Sequence, residues 1–201
     1  MIAVALITVS SSTSLTQPGS NGKGIDGPTV FLGALGSCGR KDSKAAVNCT
    51  VPTINPTYDL SALPGNTPDF LSAPTATTPA FIAVSIAFTL VFFFLFTFTA
   101  FRSKMGKAGA MFDKPMIQRL TAWIGLFGFI IGLTSFLVIR MWFGKAVEDF
   151  NKAIIQGGQS APSLVANTSN GFVMVYVAYA FYAVPLVCSM AKLHVTATGK
   201  A

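Results

Sequence analysis

Two cysteines with a spacing suited to a small covalent loop are the sharpest chemical feature of this chain. Cys38 and Cys49 lie eleven positions apart, and a disulfide between them would stabilise the fold by roughly 3 kcal/mol in the chain-entropy model. A metal pair is the alternative, but no histidine, further cysteine or clustered acid lies nearby. Disulfides persist only in an oxidising compartment. The formation of this one therefore depends on the compartment of the segment, which the surrounding elements determine.

Two N-glycosylation sequons are the next residues that could carry chemistry. They are Asn48-Cys49-Thr50 and Asn167-Thr168-Ser169, and such triplets mark acceptor asparagines where a segment is exposed outside the cell. We expect Asn48 and Asn167 to be glycosylated; unused triplets in polar loops are the alternative.

The third cysteine, Cys188, lies inside an apolar run, four positions before Lys192. A thiol buried among helices is one interpretation. Reversible palmitoylation at the inner membrane boundary is the other.

Residues for catalysis are missing from the pattern. The one histidine, His194, lies near the end of the chain, and the adjacent acids Glu148 and Asp149 would face different sides of a helix. No nucleophile, base and orienting group occur at a usable spacing. We therefore predict no enzyme, no cofactor, no metal site and no small-molecule substrate.

Three apolar runs determine which class of protein positions these residues: Ala80–Ala100, Leu120–Phe143 and Gly171–Ala191. A run of 21 residues forms a helix of roughly 31 Å, which matches the hydrocarbon core of a bilayer. Only 10% of the residues are charged, against about 25% in soluble domains. The chain is therefore predicted to be a multi-pass membrane protein.

The distribution of charge predicts its orientation. The net charge is +7, but the excess lies in one short loop and the tail, which is typical of the positive-inside rule rather than of nucleic-acid binding. The loop cations, which we expect to contact anionic inner-leaflet lipids, are Arg102, Lys104, Lys107, Lys114 and Arg119. The paired cysteines and both sequons then lie outside the cell.

The predicted layout has eight segments. The short apolar stretch at the start cannot span a bilayer alone, and it is interpreted as the outer part of an incomplete first span; an apolar arm on the surface is the alternative. The segments are a partial transmembrane helix (1–16), an extracellular loop (17–79), a transmembrane helix (80–101), a basic cytosolic loop (102–119), a transmembrane helix (120–143) extended outside to about 155, an extracellular loop (156–170), a transmembrane helix (171–191) and a cytosolic tail (192–201).

Shorter patterns refine this layout. Thr29–Cys38 and Val47–Ile54 are predicted to form a strand pair, in which Gly33 and Gly36 permit close backbone approach. The third span carries glycines at spacings that let helices pack closely, within the chain's own bundle or between copies: Gly125, Gly128 and Gly132. Beyond this span, apolar residues three and seven positions apart predict a helical face packed on the strands, or lying in the membrane interface.

A family resemblance rests on several of these motifs. The pattern Gly33-Ala34-Leu35-Gly36-Ser37-Cys38, followed by Cys49 in a first extracellular loop, resembles the claudin-like tetraspans of fungi. The stretches Asn48–Pro52, Pro56–Leu60, Leu63-Pro64 and Asn170–Phe172 look like the cortical-patch (eisosome) branch, which includes the PalI pH-response regulators. The calcium-regulator and membrane-fusion branch is the second choice.

The resemblance implies a fold and a role. The expected fold is an all-α transmembrane bundle, claudin-like with four helices of which the first is incomplete, with a small disulfide-linked extracellular β-sheet. The expected function is a plasma-membrane protein that organises membrane domains by lateral assembly, with lipids, copies of itself or other membrane proteins as partners. The alternatives are a regulator of calcium influx or membrane fusion, and a sensor of ambient pH.

Overall fold

The fold combines three long helices with a small antiparallel sheet. A computed structural model describes residues 6–11, 27–42, 44–104, 106, 109, 112 and 114–198, with only the backbone of Ser11 and of residues 193–198. The strands are β1 (Ile7–Ser11), β2 (Thr29–Leu32), β3 (Ser37–Arg40), β4 (Asn48–Cys49) and β5 (Leu164–Thr168). The helices are α1 (Thr77–Ala100), α2 (Pro115–Gly157) and α3 (Gly171–Thr198), with 3₁₀ turns at Arg102–Lys104 and Gly158–Ser160.

All three helices are long and apolar enough to cross a membrane. Their mean hydropathy over the best window is 2.6, 2.2 and 1.9 in chain order, because long apolar runs leave few charges along each of them. This confirms the prediction that the chain is a membrane protein. In the described part of the chain the candidate spans number three, and the expected fourth helix is not among them.

Proline placement explains where two of the helices begin. Pro115 is the first residue of α2, a position where the missing N–H is not needed and the fixed φ suits a helix. Pro79 lies in the first turn of α1, where the same argument applies. Pro185 lies inside α3, which is tolerated in membrane helices.

The sheet has five strands in the order β4-β3-β2-β1-β5, and all neighbours are antiparallel. Strand β1 pairs Thr8 with Phe31 of β2 on one side and with Asn167 of β5 on the other. Strands β1 to β4 precede α1, whereas β5 follows α2. Two crossings, one by α1 and one by α2, would return the chain to its starting side before β5, which agrees with the membership of all five strands in one sheet.

Alternating residues of the sheet are buried, as expected for a sheet with one covered face. Ile7 and Val9 of β1, Val30 and Leu32 of β2, and Leu164 and Ala166 of β5 are all at most 3% exposed. The chain divides into two compact units, and the sheet belongs to the first, with the described residues up to Pro79 and with Leu137–Val173. Buried residues of that helical segment include Phe143 and Phe150.

The second unit contains Ala80–Phe136 and the chain from Met174 onward. Its core is built on Phe92, Tyr182 and Leu186, packed against partly buried aromatic and aliphatic side chains. Helix α2 contributes residues to both units.

Three expectations about local structure are wrong. Residues 1–16 were predicted as part of a helix, but Ile7–Ser11 form strand β1, because pairing on both sides with β2 and β5 satisfies their backbone. Thr29–Cys38 is not one strand; it bends at Gly33–Gly36 into β2 and β3. The predicted loop 156–170 contains strand β5.

Candidate functional site

The predicted disulfide is present between Cys38 and Cys49. The two residues are directly opposite each other in the antiparallel pair β3–β4, with their Cα atoms 4.0 Å apart. Strand β4 has only two residues, too few for pairing alone to hold it. The disulfide therefore fixes this edge of the sheet.

The turn between β2 and β3 organises the chain around the disulfide. Gly33 N–H donates to Gly36 O at 2.9 Å and closes the turn. Three hydrogen bonds join Ser37 and Thr50. Ser37 N–H donates to Thr50 Oγ1 at 2.9 Å, and Ser37 O accepts from Thr50 N–H at 2.9 Å and from Thr50 Oγ1–H at 3.3 Å. A Cβ at Gly36 would lie 2.6 Å from Thr50 Oγ1, so this position requires glycine for the close approach.

The proline-rich connector is anchored on the same turn. Tyr58 OH donates to Gly33 O at 2.7 Å, and Asp59 N–H donates to the buried Ser37 Oγ at 2.8 Å. Burial raises the pKa of Tyr58 above its ordinary value. Hydrogen bonds from Ser61, first from its side chain and then from its backbone, lower the pKa of Asp59. The connector is therefore bonded to the sheet near the disulfide rather than merely extended.

The two sequon asparagines lie on the opposite edges of one sheet. Asn48 belongs to β4 and Asn167 to β5, and both are exposed. Because one sheet contains both strands, we expect both asparagines to lie on the same side of the membrane. Edge strands offer unpaired backbone groups to other chains, and bulky sugars at these positions would cover them.

The β5 edge is closed by one side chain of α2. Asn151 Nδ2–H donates to Ala166 O at 2.9 Å, and Ala166 N–H donates to Asn151 Oδ1 at 2.9 Å. The amide therefore bonds to both backbone groups of Ala166, as a neighbouring strand would. Phe150, beside it, is completely buried.

The three glycines predicted to pack helices all lie against side chains of the second unit. A Cβ on Gly125 would be 2.5 Å from the Phe92 ring, and one on Gly128 would be 3.0 Å from Phe88 Cβ. A Cβ on Gly132 would overlap Ser85 and Tyr179. The glycines thus face α1 and α3 of the same chain, where small residues permit close helix contact.

Hydroxyl groups hold this bundle together. Ser85 Oγ donates to Gly128 O at 2.8 Å, and Tyr182 OH donates to Gly125 O at 2.9 Å. Several other hydroxyls of the spans donate within their own helix, as Thr89 does to Ser85 O and Ser135 to Ile131 O. Each bond satisfies a polar group that would otherwise face hydrocarbon.

The remaining predicted residues lie on the surface of the described structure. Of the loop cations, Arg102, Lys104, Lys114 and Arg119 are exposed, and Lys107 lies outside the described residues. Cys188 is a free thiol with an exposed side chain on α3, so the expectation of a buried thiol is wrong.

Among the described residues, no group of three or more histidine, cysteine, aspartate or glutamate side chains could hold a metal ion. No family model, no curated protein and no solved structure matches the chain. The site is therefore interpreted from its geometry.

Sequence reasoning missed several residues that shape the site. Ser37, Asn151 and Phe92 gave no local signal, because a serine beside a cysteine, an asparagine in a helix and one phenylalanine among many are each common. Thr50 enters the sequence patterns as a member of a sequon and of a family-like stretch, and Tyr58 as a member of a family-like stretch. Their hydrogen bonds to residues 13 and 25 positions away depend on the tertiary fold.

Proposed function

We propose that this chain is a non-enzymatic, multi-pass protein of the plasma membrane that organises membrane domains by lateral assembly. The proposal includes the orientation with the sheet outside the cell and the basic loop in the cytosol. It also includes membership of the claudin-like tetraspans of fungi, on the motifs described above. What the structure establishes by itself is a membrane protein with a disulfide-linked sheet.

One observation carries the proposal: five hydroxyls along the described spans bond to backbone carbonyls of the chain itself. Ser85 and Tyr182 bond between helices, and Thr89, Thr121 and Ser135 bond within a helix. A transport pathway would present such groups, or acids, to a water-filled cavity. Here they serve packing, which supports a structural role over conduction.

The lipid-facing surface supports lateral assembly. Only 11% of the most apolar window of α1 is buried within the chain, against 33% for α2. Large side chains remain exposed along α1, among them Phe81, Phe94 and Phe98. This surface is available to lipid and to the helices of neighbouring proteins.

Energy transfer between donor-labelled and acceptor-labelled copies tests the proposal. With the full chain at low density in vesicles, we expect transfer above the level calculated for random mixing. Phe94→Ala with Phe98→Ala should lower it, whereas the exposed Phe181→Ala on α3 serves as the matched control. Transfer at the random level would contradict assembly.

Conductance separates this function from regulation of calcium influx. Calcium currents in cells with and without the protein should be equal, while clustering of the labelled protein changes with its expression. A current that rises with expression and persists when clustering is abolished would overturn the organiser function.

A further inference from the structure

A cavity of about 600 Å³ lies where the second unit ends on the side of the basic loop. Four parts of the chain line it: the last residues of α1, the 3₁₀ turn after it, the start of α2, and α3 near Lys192. Every lining residue belongs to the second unit. Its size falls in the range of about 300–1,000 Å³ that is typical of small-molecule sites.

The lining of this cavity is cationic and rich in donors. It contains the guanidinium of Arg102, the ammonium of Lys192, the amide of Gln118 and the hydroxyl of Ser103, and none of the lining residues that the structure describes is a carboxylate. A guanidinium binds phosphate oxygens through two parallel N–H donors, and an ammonium adds a compact charge. The chemistry is complementary to a phosphate group with more than one negative charge.

Apolar groups border the same cavity. Ala100 and Ala191 line it, and Lys192 Nζ lies 5.7 Å from the centroid of the Phe96 ring. Phe96 also lines a narrower cleft that shares Arg102, Gln118 and Lys192 with the cavity. A ligand here would therefore contact cations and hydrocarbon at once, as a lipid headgroup at a membrane boundary does.

We infer that this cavity binds the phosphomonoester-bearing headgroup of an anionic lipid, with Arg102 and Lys192 as the phosphate ligands. The sequence pattern predicts lipid contact for five loop cations; of the four that the structure describes, Arg102 alone lines the cavity. Lys192, which α3 brings to the same place, was not among them.

A simpler explanation exists for the same charges. Cations near the carboxyl ends of α1 and α3 stabilise the helix dipoles, and loop cations set orientation. Neither effect needs a cavity, and under both of them every loop cation would contribute equally to the binding of an anionic lipid. The cavity predicts unequal contributions, because Arg119 carries the same charge near the start of α2 but does not line the cavity.

Binding of a fluorescent short-chain phosphatidylinositol bisphosphate to the purified full chain in neutral detergent tests this inference. We expect Arg102→Gln and Lys192→Gln each to weaken binding about tenfold or more, because each removes a charge-assisted contact. Arg119→Gln, the matched control, should change it less than about twofold, since exposed charges interact weakly. Equal losses in all three variants would overturn the cavity in favour of a diffuse basic surface.

Competition identifies the source of the phosphate. Short-chain phosphatidylserine should displace the probe poorly, because it lacks the phosphomonoester. Soluble inositol trisphosphate should displace it only at higher concentration, because it lacks acyl contacts with the apolar border. Displacement by phosphatidylserine at equal concentration would overturn phosphomonoester recognition. Equal potency of the soluble phosphate would overturn the assignment to a lipid.

Folding controls keep the test decisive. The melting temperature of each variant without ligand should match that of the unmodified chain, and Arg102→Lys should bind with intermediate affinity. If Arg102→Gln does not fold, Lys192→Gln on a different element decides. The inference rests on the proposed function only in taking the lipid from the cytosolic leaflet. Binding in micelles is measured without lateral assembly, so the lipid site and the proposed function can each fail without the other.

Discussion

At the scale of single residues, the spaces left by glycines determine which side chains can approach. Gly36 admits the Thr50 hydroxyl beside the disulfide, and Gly125 admits the Phe92 ring inside the bundle. In both places a Cβ would lie closer than 3.0 Å to a neighbouring atom, and Phe92 is fully buried. Because close-packed interiors relax only partly, such positions should be sensitive to one added methyl group.

Gly125→Ala is expected to destabilise the bundle by about 1–3 kcal/mol, because the buried Phe92 ring must move. Gly144→Ala is the matched control on the same helix, since a Cβ there meets nothing within 4 Å. Alanine is a better helix former than glycine by about 1 kcal/mol, so the control should be neutral or more stable. Thermal unfolding in detergent measures both, and equal losses would contradict the packing argument.

Tyr58 gives the fold a dependence on alkaline pH. Burial raises its pKa above the ordinary value of 10.0, so the folded state favours the neutral phenol. Its contribution is complete below pH 10.0 and falls as the pH rises above it, because the unfolded chain loses the proton first.

Tyr58→Phe should lower stability by about 1 kcal/mol at neutral pH, because Gly33 O loses its donor. It should also remove part of the alkaline decline. The difference between the melting temperatures of the two proteins, followed from pH 8 to about pH 11, isolates Tyr58 from the other titrating groups. A constant difference across this range would show that the phenol does not titrate as argued.

At the scale of elements, the two edge strands of the sheet are short, and each is held by a specific interaction. Strand β4 has two residues and is held by the Cys38–Cys49 disulfide. At the other edge, Asn151 bonds both backbone groups of Ala166 in β5. Short strands gain little stability from pairing alone. Removing the disulfide should therefore loosen β4 first, and removing the Asn151 hydrogen bonds should loosen β5 first.

Replacing both Cys38 and Cys49 by serine should cost roughly 3 kcal/mol and expose the chain near β4 to protease. Limited proteolysis followed by mass spectrometry locates the first cleavage. Cys188→Ser is the control, because this thiol is free and exposed and its loss should leave the pattern unchanged. First cleavage near β5 in the double variant would contradict the assignment of the disulfide to the β4 edge.

At the scale of the whole molecule, the order of strands and helices and the distribution of charge both support one orientation in the membrane. The sheet joins residues before α1 to residues after α2, which requires two crossings between them. Under the positive-inside rule, the cations of the loop between these helices support the proposed cytosolic position of that loop.

Cysteine labelling checks this orientation. In a Cys188→Ser background, a membrane-impermeant maleimide applied to intact cells should label Ser163→Cys and leave Ser103→Cys unlabelled until the membrane is opened. In the same cells, Asn48→Gln and Asn167→Gln should each remove one glycan. Labelling of Ser103→Cys from outside would reverse the orientation and with it the proposed function.

The sequence alone determined the spans and the disulfide, because both follow from local quantities. The length of a run such as Ala80–Ala100 decides whether it reaches the thickness of a bilayer. Two cysteines eleven positions apart are close enough in the chain to lie opposite each other in a hairpin. Only the tertiary structure decided that Ile7–Ser11 is a strand, since a short apolar run does not reveal its own secondary structure. Its partner β5 lies more than 150 positions away, and the choice of Phe92 as the buried ring of α1 depends on where Gly125 leaves space.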